Sequence, residues 1–411
     1  MKIALLTLGT RGDVQPYAVL GEALQRRGHQ VVLSTARNFE SLARSYKLDF
    51  VPVDADFQAL LDSEEGKQMM RNPILAQRNF GRWVHPMIQS ALDTFYKVSL
   101  QSDKILFHGK TLAGFFADQF PNKMIRANVI PAFEPTAEFV NPVLSGVGLP
   151  SMLNKFSYQL TEFSYRMMHK PILKFRQENG LSSLTEDYKE LPSIYGVSHH
   201  LLKEPGDYPD DSHFTGFWYG ESPATLSPDV MKFLQEGSPP LLVTFGSMPL
   251  ATKLNMQQAM IQLAEKLNTR IIIVKGWGFD NTGDLKEYKS IKIIESAPYE
   301  KLLPLVKAVI HHGGIGTIAE CLRAGKPFLT CPVLYPMGDQ HFWGQLAFQK
   351  GCALKPIPLK KLTQDQLITA GYELLTTQDL YSNSRRMADL LHTENGIDNA
   401  IKLIEKSILS I

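Results

Sequence analysis

Three cysteines in 411 residues are too few and too scattered for a disulfide frame or a zinc site. Cys321, Cys331 and Cys352 form no CxxC pair and read as buried or free thiols of a reducing cytosol. Excess charge is missing too. The 43 Lys and Arg against 41 Asp and Glu leave a net +2, which excludes bulk nucleic-acid binding through a basic surface. No run of ~20 apolar residues occurs, so no membrane-spanning helix is expected. A Walker lysine is absent, because Gly325-Lys326 is followed by Pro327. There is no low-complexity tract and no short tandem repeat. The stretch Met1–Leu8 has some signal-peptide character, but its apolar run is short and no small-residue cleavage site follows, so a buried first strand is expected.

The chain does carry enough apolar residues, 44% against 20% charged, to build a real core. Its length suits two domains. Short apolar runs at 3–8, 31–34, 50–53 and 104–107 alternate with helical patterns at 15–27 and 38–46, and residues 60–100 and 151–178 read as long helical stretches. Pro, Gly, Asp and Ser then cluster between Pro205 and Pro228, and the rhythm restarts with strands at 241–245, 270–274, 291–294, 308–310 and 328–330. Continuous apolar strands between helices imply parallel sheets covered on both faces. The fold class is therefore α/β: two doubly wound, Rossmann-like domains facing a cleft. The divisions are 1–215, a linker at 216–228, a second domain at 229–390, and a last helix at 391–411 that could pack back on the first domain. Ligands of such sheets bind beyond the carboxyl ends of the strands, so a site should come from strand-exit loops of both halves.

Four such loops carry chemistry. After strand one, Gly9-Thr-Arg-Gly-Asp-Val-Gln-Pro16 turns tightly and sets Asp13 at a helix start; helix capping explains an isolated Asp there, but not the pairing of Arg11 with Asp13 at a cleft. In the second half, Gly246 and Ser247 offer an amide and a hydroxyl to a phosphate, or simply form a turn. Residues 311–320, His-His-Gly-Gly-Ile-Gly-Thr-Ile-Ala-Glu, expose amides of Gly314 and Gly316 at a helix N-terminus, with His312 and the Thr317 hydroxyl as further donors. Glycine at this density only weakens a helix unless something approaches the backbone. The match to GxGxxA is weak, because it follows the fourth strand of its domain, not the first. Glu320, about one turn in, suits ribose hydroxyls or plain solvent. Finally Asp339 and Gln340 offer acceptors and a donor to vicinal sugar hydroxyls, with capping by Asp339 as the alternative. One wall thus reads as a cradle for a nucleotide-sugar and the other presents a carboxylate.

At these motifs the sequence resembles the inverting family 1 glycosyltransferases of the GT-B fold, in particular sterol glucosyltransferases and bacterial enzymes that glycosylate natural products. The segments carrying the resemblance are Gly9–Pro16, Val309–Thr317, Leu322–Pro327, Gly338–Gly344 and Lys355–Thr363, and it covers essentially the whole chain. It implies Asp13 as general base, Thr10, Arg11, Ser247, His312, Gly314 and Thr317 around a diphosphate, Glu320 on the ribose, and Asp339 with Gln340 on the sugar. Ala297 matches a loop that contacts uracil through its backbone. Two departures matter. Ser296 stands where plant relatives have a stacking tryptophan, so Trp277 either takes over that stacking or is a packed loop residue. The segment Val333–Met337 is about three residues longer than in sterol enzymes. No aspartate matches the plant partner of the base; His108, after the fourth strand, is the candidate to approach Asp13.

The implied reaction moves a hexose, glucose first, from a UDP-sugar to a hydroxyl of a lipophilic small molecule, with no resident cofactor or metal. Phe156, Leu160, Phe163 and Met167 form an apolar stripe, and residues 66–97 mix Met69, Met70, Phe80, Trp83 and Met87 with Arg71, Arg78 and Arg82. Core packing accounts for most such stripes, while Met and aromatics also suit an adaptable lipophilic pocket. The arginines fit a solvated helix face or a weak peripheral contact with an anionic membrane surface, the inner face for a cytoplasmic protein. A monomer or weak dimer is expected. Two other functions compete: a sugar-nucleotide epimerase of the same fold, and a non-catalytic partner of a transferase.

Overall fold

A computed structural model describes residues 1–54, 63, 66, 73–165, 168–182, 190–246, 252–275 and 284–409. Among these, two all-parallel sheets form. The first has the order β3-β2-β1-β4-β5-β6-β7, from β1 (Lys2–Leu6), β2 (Gln30–Ala36), β3 (Asp49–Val53), β4 (Lys104–Phe107), β5 (Met124–Asn128), β6 (Ser193–Tyr195) and β7 (Ser212–Phe214). The second has the order β10-β9-β8-β11-β12, from β8 (Leu241–Thr244), β9 (Ile271–Val274), β10 (Ile291–Ile294), β11 (Ala308–His311) and β12 (Phe328–Thr330).

Alternation along each strand sends neighbouring side chains to opposite faces. Ile3 and Leu5 of β1 enter one core while Ala4 and Leu6 enter another. In β11, Val309 faces the first of these cores, and Ala308 and Ile310 face a third. The first core runs continuously through both domains, from Tyr17 and Trp218, edge to face at 6.1 Å, to Trp343, Ile401 and Ile404.

Strands β5, β6 and β7 extend the first sheet beyond the four runs read from sequence, and β7 lies inside the Pro205–Pro228 composition shift. The first helix spans Arg11–Arg26, beginning four residues before the expected Gln15. It does so because Asp13, in the first turn, accepts from Thr10 N and Oγ1 and closes a capping box.

The helix Gly396–Leu409 returns to the first domain. Arg27 meets Asp398 at 3.4 Å, His29 meets Glu405 at 3.3 Å, and Asn399 Nδ2 donates to Thr215 O at 3.0 Å. Gly396 makes the close approach possible, since a Cβ there would lie 2.3 Å from Phe217 O. Backbone cannot yield as a side chain does. Gly396→Ala is expected to cost about 1–3 kcal/mol, seen as a lower midpoint in thermal unfolding; an unchanged midpoint would refute that packing.

Each sheet order reverses once, between β1 and β4 in the first and between β8 and β11 in the second. Loops leaving adjacent strands diverge there and open a crevice. Asp13 and Lys110 follow β1 and β4; Gly246 and the 312–317 turn follow β8 and β11.

Candidate active site

Thr10 and Gly314 are the N-caps of helices Arg11–Arg26 and Ile315–Arg323. The two helix starts face each other from opposite domains: a Cβ on Gly316 would lie 4.0 Å from Cα of Gly12. Unpaired N–H groups give each end about half a positive charge, so two positive poles converge on one place.

His312 leaves β11 into this place. Cβ atoms built on Gly246 and Gly314 would come within 2.9 and 2.5 Å of its ring, so the imidazole sits between two glycine backbones. Among the described residues its Nδ1 is buried without a partner. Burial lowers its pKa to about 4, so the ring is neutral and carries one N–H to donate. The preceding His311 does other work: its Nδ1 accepts from Gly313 N at 3.1 Å and ties down the turn. Thr317 is buried in the first turn of the helix. Glu320 is largely buried, with Arg323 Nη1 3.9 Å away. Burial raises its pKa to about 7, Arg323 opposing and Glu300 adding to the rise.

Asp13 is only 6% exposed. Its Oδ2 accepts from Thr10 N at 2.9 Å and Thr10 Oγ1 at 3.2 Å, so it does cap its helix. Its Oδ1 meets Lys110 Nζ at 2.6 Å. Burial alone would raise its pKa, but the Lys110 charge and the hydrogen bonds from Lys110 and Thr10 outweigh it, and the net shift is downward. Asp13 is therefore ionised at neutral pH. Gly9 leaves room for it: at φ +136°, a Cβ there would lie 2.2 Å from Asp13 Oδ2.

His108 stands behind this pair. Its Nε2 is 3.9 Å from Asp13 Oδ1, beyond hydrogen-bond reach. Its Nδ1 accepts from Lys110 N at 3.1 Å, leaving the proton on Nε2. Burial and Lys110 push its pKa down to about 3, so it is neutral. His108 does approach Asp13, and Lys110 makes the closer contact, which the sequence reading did not name. Lys110 lies 97 residues from Asp13 in the chain, and its only sequence signal was its place in the loop after β4.

Across the cleft, Asp339 does not cap the helix Gln340–Gln349; its carboxylate accepts from Trp343 Nε1 at 2.9 Å. Burial raises its pKa, and the nearby Lys110 ammonium opposes this. Gln340 is buried, and its Oε1 accepts from Val333 N and Leu334 N at 2.8 and 3.0 Å. That oxygen shapes the loop that carries Asp339. Arg11 is exposed, holds Gln15 through Nε at 2.8 Å, and acts electrostatically on Tyr299 of the second domain. Ala297 follows β10, partly buried. Ser247 and Trp277 lie outside the described residues, as do Met69, Met70, Arg71 and Met167. The side chains of Arg78, Phe80, Leu160 and Phe163 also lie outside them. Of the acceptor-side residues described, Phe156 is 49% exposed, Met87 packs on the second core, and Arg82 lies over the Trp83 ring at 5.3 Å. Among the described residues no group of three or more His, Cys, Asp or Glu is placed to hold a metal, and no helix is long and apolar enough to cross a membrane.

Residues 3–106 match the glycosyltransferase family 28 N-terminal domain, and residues 241–403 match the glycosyltransferase family 28 C-terminal domain. A sterol 3-beta-glucosyltransferase of Arabidopsis thaliana is 29% identical across 100% of this chain and 66% of its own length. O-mycaminosyltylonolide 6-deoxyallosyltransferase of Streptomyces fradiae is 28% identical across 99% of the chain and 97% of its own length. A sterol 3-beta-glucosyltransferase of Aspergillus terreus is 27% identical, but the chain spans only 30% of it. Among solved structures, the glycotransferase of kitacinnamycin superposes with a TM-score of 0.73 at 16% identity, covering 99% of this chain and 98% of that one. The glycosyltransferase VinC, solved with dTDP, gives 0.70 at 15%, with 99% of each chain covered. At such identity the likeness is one of fold, and the fold is GT-B. With both domains matched over most of its length, the chain belongs to the glycosyltransferases of family 28.

Proposed function

We propose that the protein is an inverting glycosyltransferase that moves a hexose, glucose first, from a UDP-sugar to a hydroxyl of a lipophilic small molecule, without a metal. The observation that carries this reading is the convergence of two helix N-termini at Gly12 and Gly316, with an ionised Asp13 beside them. A diphosphate between those poles would find backbone N–H groups, the Thr317 hydroxyl and neutral His312 as donors, with Arg11 nearby. Preorganised donors of this kind stabilise charge where it grows and need no reorganisation during reaction. Glu320 would hold the ribose and Ala297 the base edge. Asp339 would hold the sugar hydroxyls, with Gln340 setting its loop. The acceptor oxygen forms a bond to the anomeric carbon as the bond to the diphosphate oxygen breaks. The electron pair leaves on the diphosphate, the acceptor proton goes to Asp13, and attack from the opposite face inverts the centre.

The sterol relatives and the Streptomyces relative support a small hydrophobic alcohol as acceptor. Incubation with UDP-glucose and a sterol and phenol panel is expected to release UDP only when an acceptor is present, at an unchanged rate in EDTA. A dTDP-deoxysugar arm belongs in the same assay, because the Streptomyces relative is named for a deoxysugar and VinC was solved with dTDP. Sugar interconversion without acceptor would favour the epimerase. No turnover of any donor would favour the non-catalytic partner.

A further inference from the structure

Lys110 belongs to none of the motifs that carry the family resemblance, yet it makes the shortest contact to the carboxylate on which the proposed reaction turns. It sits on the single 3-10 turn Gly109–Thr111 just after β4. That turn is held by Gly109 N donating to Asn128 Oδ1 at 3.0 Å and by Thr111 Oγ1 donating to His108 O at 2.7 Å. With Lys110 on Oδ1 and Thr10 on Oδ2, both carboxylate oxygens of Asp13 are engaged. A hydroxyl that is to give Asp13 its proton must hydrogen-bond to one of them. Oδ2 already accepts twice, from Thr10 N and from Thr10 Oγ1. Oδ1 is held by a lysine whose side chain is 44% exposed on a flexible stem.

We propose that Lys110 is the positioning residue of Asp13: its ammonium holds Oδ1 at the interdomain cleft, where the second lone pair of that oxygen meets the acceptor hydroxyl. This rests on the reading of Asp13 as the base. Asp339 of the second domain acts electrostatically on the same ammonium. Lys110 keeps its protons throughout. Partial desolvation at the cleft disfavours its charge, but contact with Asp13 outweighs that and its pKa is raised.

The groups facing Asp13 are Lys110 and His108 from the loop after β4, Tyr17 from its own helix, and Asp339 from the second domain. His108 is neutral, and Tyr17 is a buried phenol that donates to Ala127 O. Lys110 supplies the positive charge. Removing it leaves burial to act on Asp13, which raises the pKa. A carboxylate base with a raised pKa is charged only at higher pH. The acid limb of kcat/KM, which reports the base in the free enzyme, is therefore expected to move to higher pH in Lys110→Met and in Lys110→Gln. Lys110→Arg, which keeps the charge, should leave the limb close to wild type. A lysine that merely supports the fold would change unfolding midpoints and leave the limb in place. If the limbs of the Met and Gln variants overlay wild type while Asp13→Asn is inactive, Lys110 does not position the base. If Asp13→Asn itself stays active, the base assignment fails, and this inference with it.

Discussion

Asp13→Asn is expected to lose at least ~10²-fold in kcat while nucleotide binding stays near wild type. The substitution separates the two jobs of this side chain. An asparagine amide oxygen can still accept from Thr10 N, the 2.9 Å contact that closes the capping box, so the helix start and its converging pole survive. What is lost is the negative charge on Oδ1 and with it the ability to take a proton. Asp13→Ala is the less informative variant. It also removes the cap, at roughly 0.5–2 kcal/mol, and so mixes chemistry with local fraying. The check is steady-state kinetics on any acceptor the panel yields, together with calorimetric titration of UDP. Near-normal turnover in the asparagine variant would remove Asp13 from the mechanism.

Gly9→Ala is expected to be nearly as damaging, without touching a reacting group. Its φ of +136° strains any side chain, and the added Cβ would lie 2.2 Å from Asp13 Oδ2 and 2.7 Å from Cγ. The carboxylate must then leave its seat on Thr10 and lose its alignment with the cleft. A misplacement of this kind can cost ~10²-fold in rate. The diphosphate donors on the second domain are untouched, so UDP affinity should fall far less than kcat. A variant with normal kcat would show that Asp13 works from some other orientation than the one tied to Thr10.

Much of this was legible because the chemistry lies at strand exits, where glycines and polar residues interrupt apolar runs. Gly9–Pro16 and His311–Glu320 announce themselves that way. The outer half of the first sheet did not. β6 and β7 are three residues each, Ser-Ile-Tyr and Ser-His-Phe, too short for any period to show. β5 carries Arg126, a charge that argues against a buried strand until Glu134 is found 2.6 Å away. Lys110 was hidden for a related reason: an ion pair between distant loops leaves no trace in local pattern. Gln340 was legible in part. Its side chain suggested a sugar contact, and its Oε1 has a second task that no local pattern shows, holding the backbone of its own loop.

The facing helix starts carry one more consequence. Each is a positive pole, the first offset by the ionised Asp13 in its own first turn and reinforced again by Lys110. An anion lodged there would be attracted from both sides, so a nucleotide should act as mortar between the lobes as well as cargo. Heat resistance gained on adding UDP should then exceed what the second domain's contacts alone would give, and should shrink as salt screens the poles.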